Sequence, residues 1–151
     1  DLCTELGAEI TINYRDEDVA TAIRKLAPDG VDLVVEVAIA ANAQLNLDVV
    51  KPRSSVAIYA NDGGREFILD VRQNMIKNLR YQFVLLYTVG EAALKAASDD
   101  ITLALLDGAL PVGENAGLPL HRFSLADTAD AHQAVEEGAV GKVVIDVPAA
   151  D

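Results

Sequence analysis

The chain has 151 residues, 51% of them hydrophobic and 24% charged, a balance that fills one domain-sized core and excludes intrinsic disorder. Its formal net charge of −12 sets the surface against polyanions, so no nucleic-acid partner is expected and the charge serves solubility. The single cysteine, Cys3, excludes an internal disulfide and a CxxC metal site, and no apolar run approaches the roughly 18 residues of a membrane span, so no membrane partner is expected.

The opening Asp1-Leu2-Cys3-Thr4-Glu5 has no basic stretch ahead of an apolar one and does not read as a signal peptide. Leu2–Leu6 reads as the tail of a helix, closed by Gly7 at a C-cap. Ile10–Asn13 is expected to be a short strand. Asp16–Leu26 is expected to be a helix, with acids in its first turn and Val19, Ala22, Ile23 and Leu26 on one face. Pro28-Asp29-Gly30 turns the chain into Val31–Val37, nearly continuous apolar and β-branched, as suits a strand covered on both faces. Ala41–Val50 reads as a helix that Pro52 must stop.

Ser55–Ala60 is the next strand, broken by Asn61-Asp62-Gly63-Gly64. A short helix over Val71–Asn78, a strand over Tyr81–Tyr87 and a long helix over Glu91–Leu106 follow, the last ending at Gly108. Pro119–Phe123 is extended. Ser124 then caps a helix from Leu125 to Glu137, with Asp127 as the acid of a capping box. Gly138 and Gly141 end that helix, and Lys142–Val147 is the last strand.

Strand and helix patterns alternate throughout, which predicts an α/β fold with a mainly parallel sheet and helices on both faces. A doubly wound nucleotide domain opens with a strand, a glycine-rich turn and a helix that carries the pyrophosphate. This chain has no GxGxxG, and its one glycine pair, Gly63-Gly64, precedes no long helix. On the residues alone, either the phosphate site lies in sequence outside these 151 residues or the fold is not a dinucleotide fold.

The stretch Leu6-Gly7-Ala8-Glu9-Ile10-Thr11-Ile12-Asn13-Tyr14-Arg15-Asp16-Glu17-Asp18 resembles the LGA-x-x-x-I-N-Y-R-x-E-D segment of quinone oxidoreductases. Behind it, in the same order and at near-constant spacing, come Gly30-Val31-Asp32-Leu33-Val34-Val35-Glu36, Ala41-Asn42, Met75-Ile76-Lys77-Asn78, Ala131-His132 and Gly141-Lys142-Val143-Val144. Each motif is short, but the ordered set spans the whole chain. It is similar to the zinc-free medium-chain dehydrogenase/reductases of the zeta-crystallin-like quinone oxidoreductase kind, over their C-terminal portion. Glu36 and Asn42 carry the zeta-crystallin likeness.

The resemblance implies an incomplete Rossmann-like doubly wound parallel sheet over residues 1–116, without its first strand and glycine loop. It implies that residues 117–151 return to a substrate domain outside this sequence. It further implies NADPH as cofactor, a small-molecule quinone or α,β-unsaturated carbonyl as substrate, and a homodimer formed through the Tyr81–Tyr87 strand.

The resemblance also assigns cofactor contacts residue by residue. Tyr14, just past a strand end, corresponds to a tyrosine beside the adenosine 2′-phosphate of NADPH, where its hydroxyl donates and Arg15 adds charge; the alternative is an ordinary half-buried tyrosine. Asn42 corresponds to a cofactor-contacting asparagine, and a plain N-cap is the other reading. Tyr59, Ala60 and Asn61 occupy the run that passes the nicotinamide ribose. Ala60 stands where the family has glycine, and Arg53-Ser54 where it has Gly-Gly. Val84, Leu85 and Leu86 match the strand lining the nicotinamide pocket, or are plain core.

Glu36 reads as a structural acid that holds backbone N–H groups at a strand end. His132 reads as a packing residue of a helix, and Lys142 as solvated surface. No catalytic acid or base is required of this chain, because an electron-poor acceptor takes hydride directly and its proton from water. Two distant histidines and one cysteine match neither a zinc site nor a Cys-His pair, so no metal ligand set is expected. Two classes of function stay open: an oxidoreductase in which the cofactor carries the chemistry, and a non-catalytic Rossmann-like module acting in dimerisation or assembly.

Overall fold

The computed structural model describes residues 2–111 and 113–148 and divides the chain into two compact units, residues 12–97 and residues 1–11 with 98–151. The architecture is α/β with parallel sheets, as the alternating pattern predicts.

The expected Ile10–Asn13 strand, at the boundary of the two units, does not form; these residues pair with no strand among the described residues and run into a turn. Short β-prone segments hold extended structure only when a neighbouring strand supplies the ladder. Asn13 shapes the turn, its carbonyl accepting from Asp16 N at 3.1 Å and Glu17 N at 3.0 Å. The first helix of the unit of residues 12–97, α2 (Val19–Leu26), starts later than expected because Asp18 is its N-cap and accepts from Thr21 N.

The sheet has the order β1 (Val31–Glu36), β2 (Val50–Ile58), β3 (Arg80–Phe83), all parallel, so β1 and β3 are its two edges. Helix α3 (Ile39–Val49) and helix α4 (Val71–Lys77) join them. Val34, Val56, Ile58 and Tyr81 share one face with Ile39, Ala43 and Phe67, and Val56 is fully buried there. Tyr81 donates its hydroxyl to Asn74 Oδ1 of α4 at 2.7 Å on the same face. The strand Val31–Glu36 is not covered on both faces as its composition suggests: Leu33 is 55% and Val35 65% exposed.

Pro52 does not stop α3. The helix ends at Val49, and β2 begins at Val50, well before the expected Ser55. The register jumps from Val31↔Val50 to Leu33↔Ser55, so Lys51 to Ser54 bulge opposite Asp32. Pro52, which has no N–H to offer a ladder, sits inside that bulge. The buried Ser54 hydroxyl fastens it, 2.7 Å from both Val31 O and Lys51 O, and Lys51 Nζ pairs with Asp32 at 2.5 Å. Gly30 meets the bulge so closely that a Cβ there would lie 2.6 Å from Lys51 N.

Arg53 in the bulge has φ 71°, the left-handed region, where a side chain costs roughly 1–2 kcal/mol. This is one of the three positions, with Ser54 and Ala60, where the resemblance expects glycine. Arg53→Gly is therefore expected to stabilise the protein by about 0.5–1 kcal/mol once the extra freedom of glycine in the unfolded chain is subtracted, read as a rise in urea midpoint. An unchanged or lower midpoint would show that the bulge stores no such strain.

Lys77 closes the helical side. Its ammonium donates to Leu47 O at 2.6 Å and Val50 O at 2.7 Å, where the last turn of α3 leaves carbonyls unpaired. Asn78, left-handed at φ 50°, caps α4. Beyond β3, where a strand was expected to run on to Tyr87, the chain turns into a 3-10 helix at Leu86–Thr88. Helix α5 (Glu91–Leu106) has the expected bounds.

In the unit of residues 1–11 and 98–151, a short helix, α1 (Leu2–Glu5), closes at Gly7. β4 (Leu120–Ser124) pairs in parallel with β5 (Lys142–Asp146), and helix α6 (Thr128–Glu136) packs on both, burying Ala131. The expected helix over Leu125–Glu137 opens instead with a 3-10 turn at Leu125–Asp127. The Ser124 hydroxyl donates to Asp127 Oδ2 at 2.6 Å rather than accepting a backbone N–H.

Candidate functional site

In an open α/β sheet the ligand crevice lies beyond the carboxyl ends of the parallel strands. Here those ends are Glu36, Ile58 and Phe83. The chain leaving them is laced together by Tyr59 N to Glu36 O at 3.2 Å, Asp62 N to Val37 O at 2.9 Å and Val84 N to Ile58 O at 2.8 Å. Beyond β2 and β3 lies a cleft of about 360 Å³ that brings together Tyr59, Ala60, Asn61, Val84 and Leu85. Ile58, Phe83 and Thr88 complete it, three residues the sequence reading passed over. Depressions of about 390 and 420 Å³ exist between α3 and residues 66–77, so size does not select the site; position at the strand ends does.

Ala60 replaces the expected glycine without backbone strain, since among the described residues only Arg53 and Asn78 combine a side chain with a left-handed φ. Leu86 is exposed in the 3-10 turn and does not line the cleft. Tyr14 is 73% exposed, not half-buried, with the Arg15 guanidinium 5.7 Å from its ring centre.

Asn42 does not open its helix. Ala38 is the N-cap of α3, and Asn42 stands within the first turn, its amide donating to Glu36 Oε1 at 3.2 Å. Glu36 is 4% exposed and holds four donors: Oε1 also accepts from Val37 N at 2.9 Å and Ala38 N at 2.7 Å, and Oε2 from Asn46 Nδ2 at 2.5 Å. Burial alone pushes its pKa up. The bonds from Ala38, Asn46, Asn42 and Val37 together outweigh burial and hold it below the ordinary carboxylate value. The expected structural role of Glu36 is thus what the geometry displays, and Asn46 joins it unannounced. Its spacing of one helical turn from Asn42 was the available signal.

His132 is exposed on α6, beside a depression of about 170 Å³ lined otherwise by Ala131, Val135, Val143 and Ile145. His121 Nε2 lies 2.8 Å from Val140 O. Among the described residues no helix is long and apolar enough to cross a membrane.

The family model for zinc-binding dehydrogenases matches residues 1–102. Dehydrogenase FUB6 of Fusarium oxysporum f. sp. lycopersici is 56% identical over 32 residues, which are 21% of this chain and 9% of that protein. Among solved structures, benzyl alcohol dehydrogenase from Acinetobacter calcoaceticus superposes with a TM-score of 0.79 at 17% identity, over 97% of this chain and 39% of its own. A quinone oxidoreductase from Pseudomonas syringae pv. tomato gives 0.75 at 23% identity, over 96% and 44%. At these identities the likeness speaks for the fold. The chain spans well under half the length of either solved structure. The family name carries zinc, yet no three His, Cys, Asp or Glu side chains cluster among the described residues, which therefore do not fit a zinc site.

Proposed function

Since the chain belongs to the zinc-binding dehydrogenase family, we propose that it is the C-terminal cofactor-binding part of an NADPH-dependent oxidoreductase of the quinone oxidoreductase kind, which transfers hydride to a quinone or an α,β-unsaturated carbonyl. The observation that carries this reading is the cleft at the carboxyl ends of β2 and β3, where Tyr59, Ala60, Asn61, Val84 and Leu85 meet. Hydride is the chemistry NADPH supplies when bound. The residues of this chain bind, orient and shield it, and electron-poor acceptors take their proton from water, so no acid or base is required of the cleft. Residues 117–151 are read as the part that returns to a substrate domain. β3 is an edge, and Phe83, Leu85, Leu86 and Tyr87 at and beyond its end are exposed, which favours a homodimer through Tyr81–Tyr87.

The choice of NADPH over NADH rests on Tyr14, whose open position beside Arg15 suits a phosphate. In the full-length protein, Tyr14→Phe is expected to weaken NADPH by about 1.5–3 kcal/mol, the worth of a hydrogen bond to a charged group, and to leave NADH unchanged. Titrating both cofactors by fluorescence decides it. Equal loss for the two would remove Tyr14 from the phosphate.

A further inference from the structure

We propose that Glu36 is a positioning residue that fixes the amide of Asn42, so that α3 offers the cofactor a hydrogen-bond acceptor and not a donor. The group received there is then a hydroxyl or an N–H, such as a ribose hydroxyl, and not a phosphate oxygen. The inference rests on the nicotinamide-cofactor reading above and adds the polarity of one contact.

The groups facing the Glu36 carboxylate are two backbone amides and two asparagine amides, none of them titratable, and all four donate to it. An ionised carboxylate only accepts. Asn42 can therefore meet Glu36 Oε1 with its Nδ2 alone, and the opposite assignment would set carbonyl oxygen against carboxylate. Its Oδ1 is turned away from Glu36 and has no hydrogen-bond partner among the described residues.

The position lies at the same end of the sheet as the cleft. Asp62 N, in the loop leaving the cleft residue Asn61, binds Val37 O, and a Cβ on Gly63 of that loop would lie 3.3 Å from Ala41 Cβ, one residue before Asn42. Glu36 also occupies the donors Val37 N and Ala38 N, where an anion at the start of α3 would otherwise be welcome, and its own charge repels one. An acceptor flanked by a carboxylate selects a hydrogen-bond donor and rejects an anion.

The test measures NADPH affinity in the full-length protein and three variants, with thermal melts to verify folding. Asn42→Ala is expected to weaken NADPH about tenfold, the effect of one lost hydrogen bond. Asn42→Asp keeps an acceptor facing outward but must share a proton with Glu36. It should bind like the unchanged protein near about pH 5 and fall about tenfold behind it near about pH 8, where two adjacent carboxylates repel. Adding Glu36→Gln to Asn42→Asp removes that repulsion and should flatten the pH dependence. A plain helix residue at position 42 would leave NADPH affinity unmoved in every variant. Unaltered affinity in Asn42→Ala, or a loss in Asn42→Asp that ignores pH or survives Glu36→Gln, overturns the proposal alone. Failure of the unchanged protein to bind NADPH or NADH overturns the cofactor reading with it.

Discussion

Glu36→Ala is expected to cost about 3–5 kcal/mol of folding stability, a large share of what a domain of this size possesses. The substitution leaves the donors of Val37, Ala38 and the buried Asn46 without an acceptor at the junction of β1 and α3. Each buried unmet donor costs about 1–3 kcal/mol, and the half-exposed Asn42 recovers water, so the total falls short of a simple sum. The pH dependence has a definite sign. Glu36 has a lowered pKa in the folded chain, so its contribution is complete above the unfolded carboxylate value of about 4.3 and is lost as pH falls through the lower folded value. Urea titrations at about pH 7 and at about pH 3 should therefore show a gap between the two proteins that narrows in acid. A gap under about 1 kcal/mol at neutral pH would mean that the donors find other partners.

Expressed as these 151 residues, the polypeptide is expected to self-associate in an open-ended way. The two edges of its three-stranded sheet differ: β1 presents Leu33 and Val35, and β3 presents Phe83 with Leu85 and Leu86 beyond it. An apolar, unpaired edge invites another strand, and two unlike edges allow each molecule to add to the next without closure. Each such side chain is only 55–65% exposed, so covering it returns about 1–2 kcal/mol, enough for a few contacts to drive assembly. Sedimentation over a range of concentrations should show mass growing beyond a dimer. Leu33→Lys with Val35→Lys should limit growth to a dimer while leaving the thermal midpoint in place. Unlimited growth in that variant would locate the contact elsewhere.

Elements whose limits are written locally were legible in the sequence. Helix α5 runs from Glu91 to Leu106 as read, and the strand at Val31 ends within one residue of its expected limit. What depended on a partner was not legible. Ile10–Asn13 has the composition of a strand but no neighbour to pair with among the described residues. Pro52 looked like a helix stop, and only the register of β1 against β2 reveals a bulge where its missing N–H is harmless. The cleft residues Tyr59, Ala60 and Asn61 could be placed because Asn61-Asp62-Gly63-Gly64 breaks the strand just past Ile58. Leu86 was misplaced because its apolar run continues after the ladder has ended. The first-turn place of Asn42 was hidden for another reason. Its partner is the carboxylate of Glu36, six residues back and across a turn, which no local pattern encodes.

The Lys77 ammonium on the carbonyls of Leu47 and Val50 ties the far end of α4 to the junction of α3 and β2, thirty residues earlier in the chain. Fraying of the last turn of α4 must break two charged hydrogen bonds that also hold the last turn of α3. Opening of the two helix ends is therefore coupled. In native-state hydrogen exchange, the amides in the last turns of α3 and α4 are therefore expected to open together, while the exposed residues of α5 are expected to exchange independently of them.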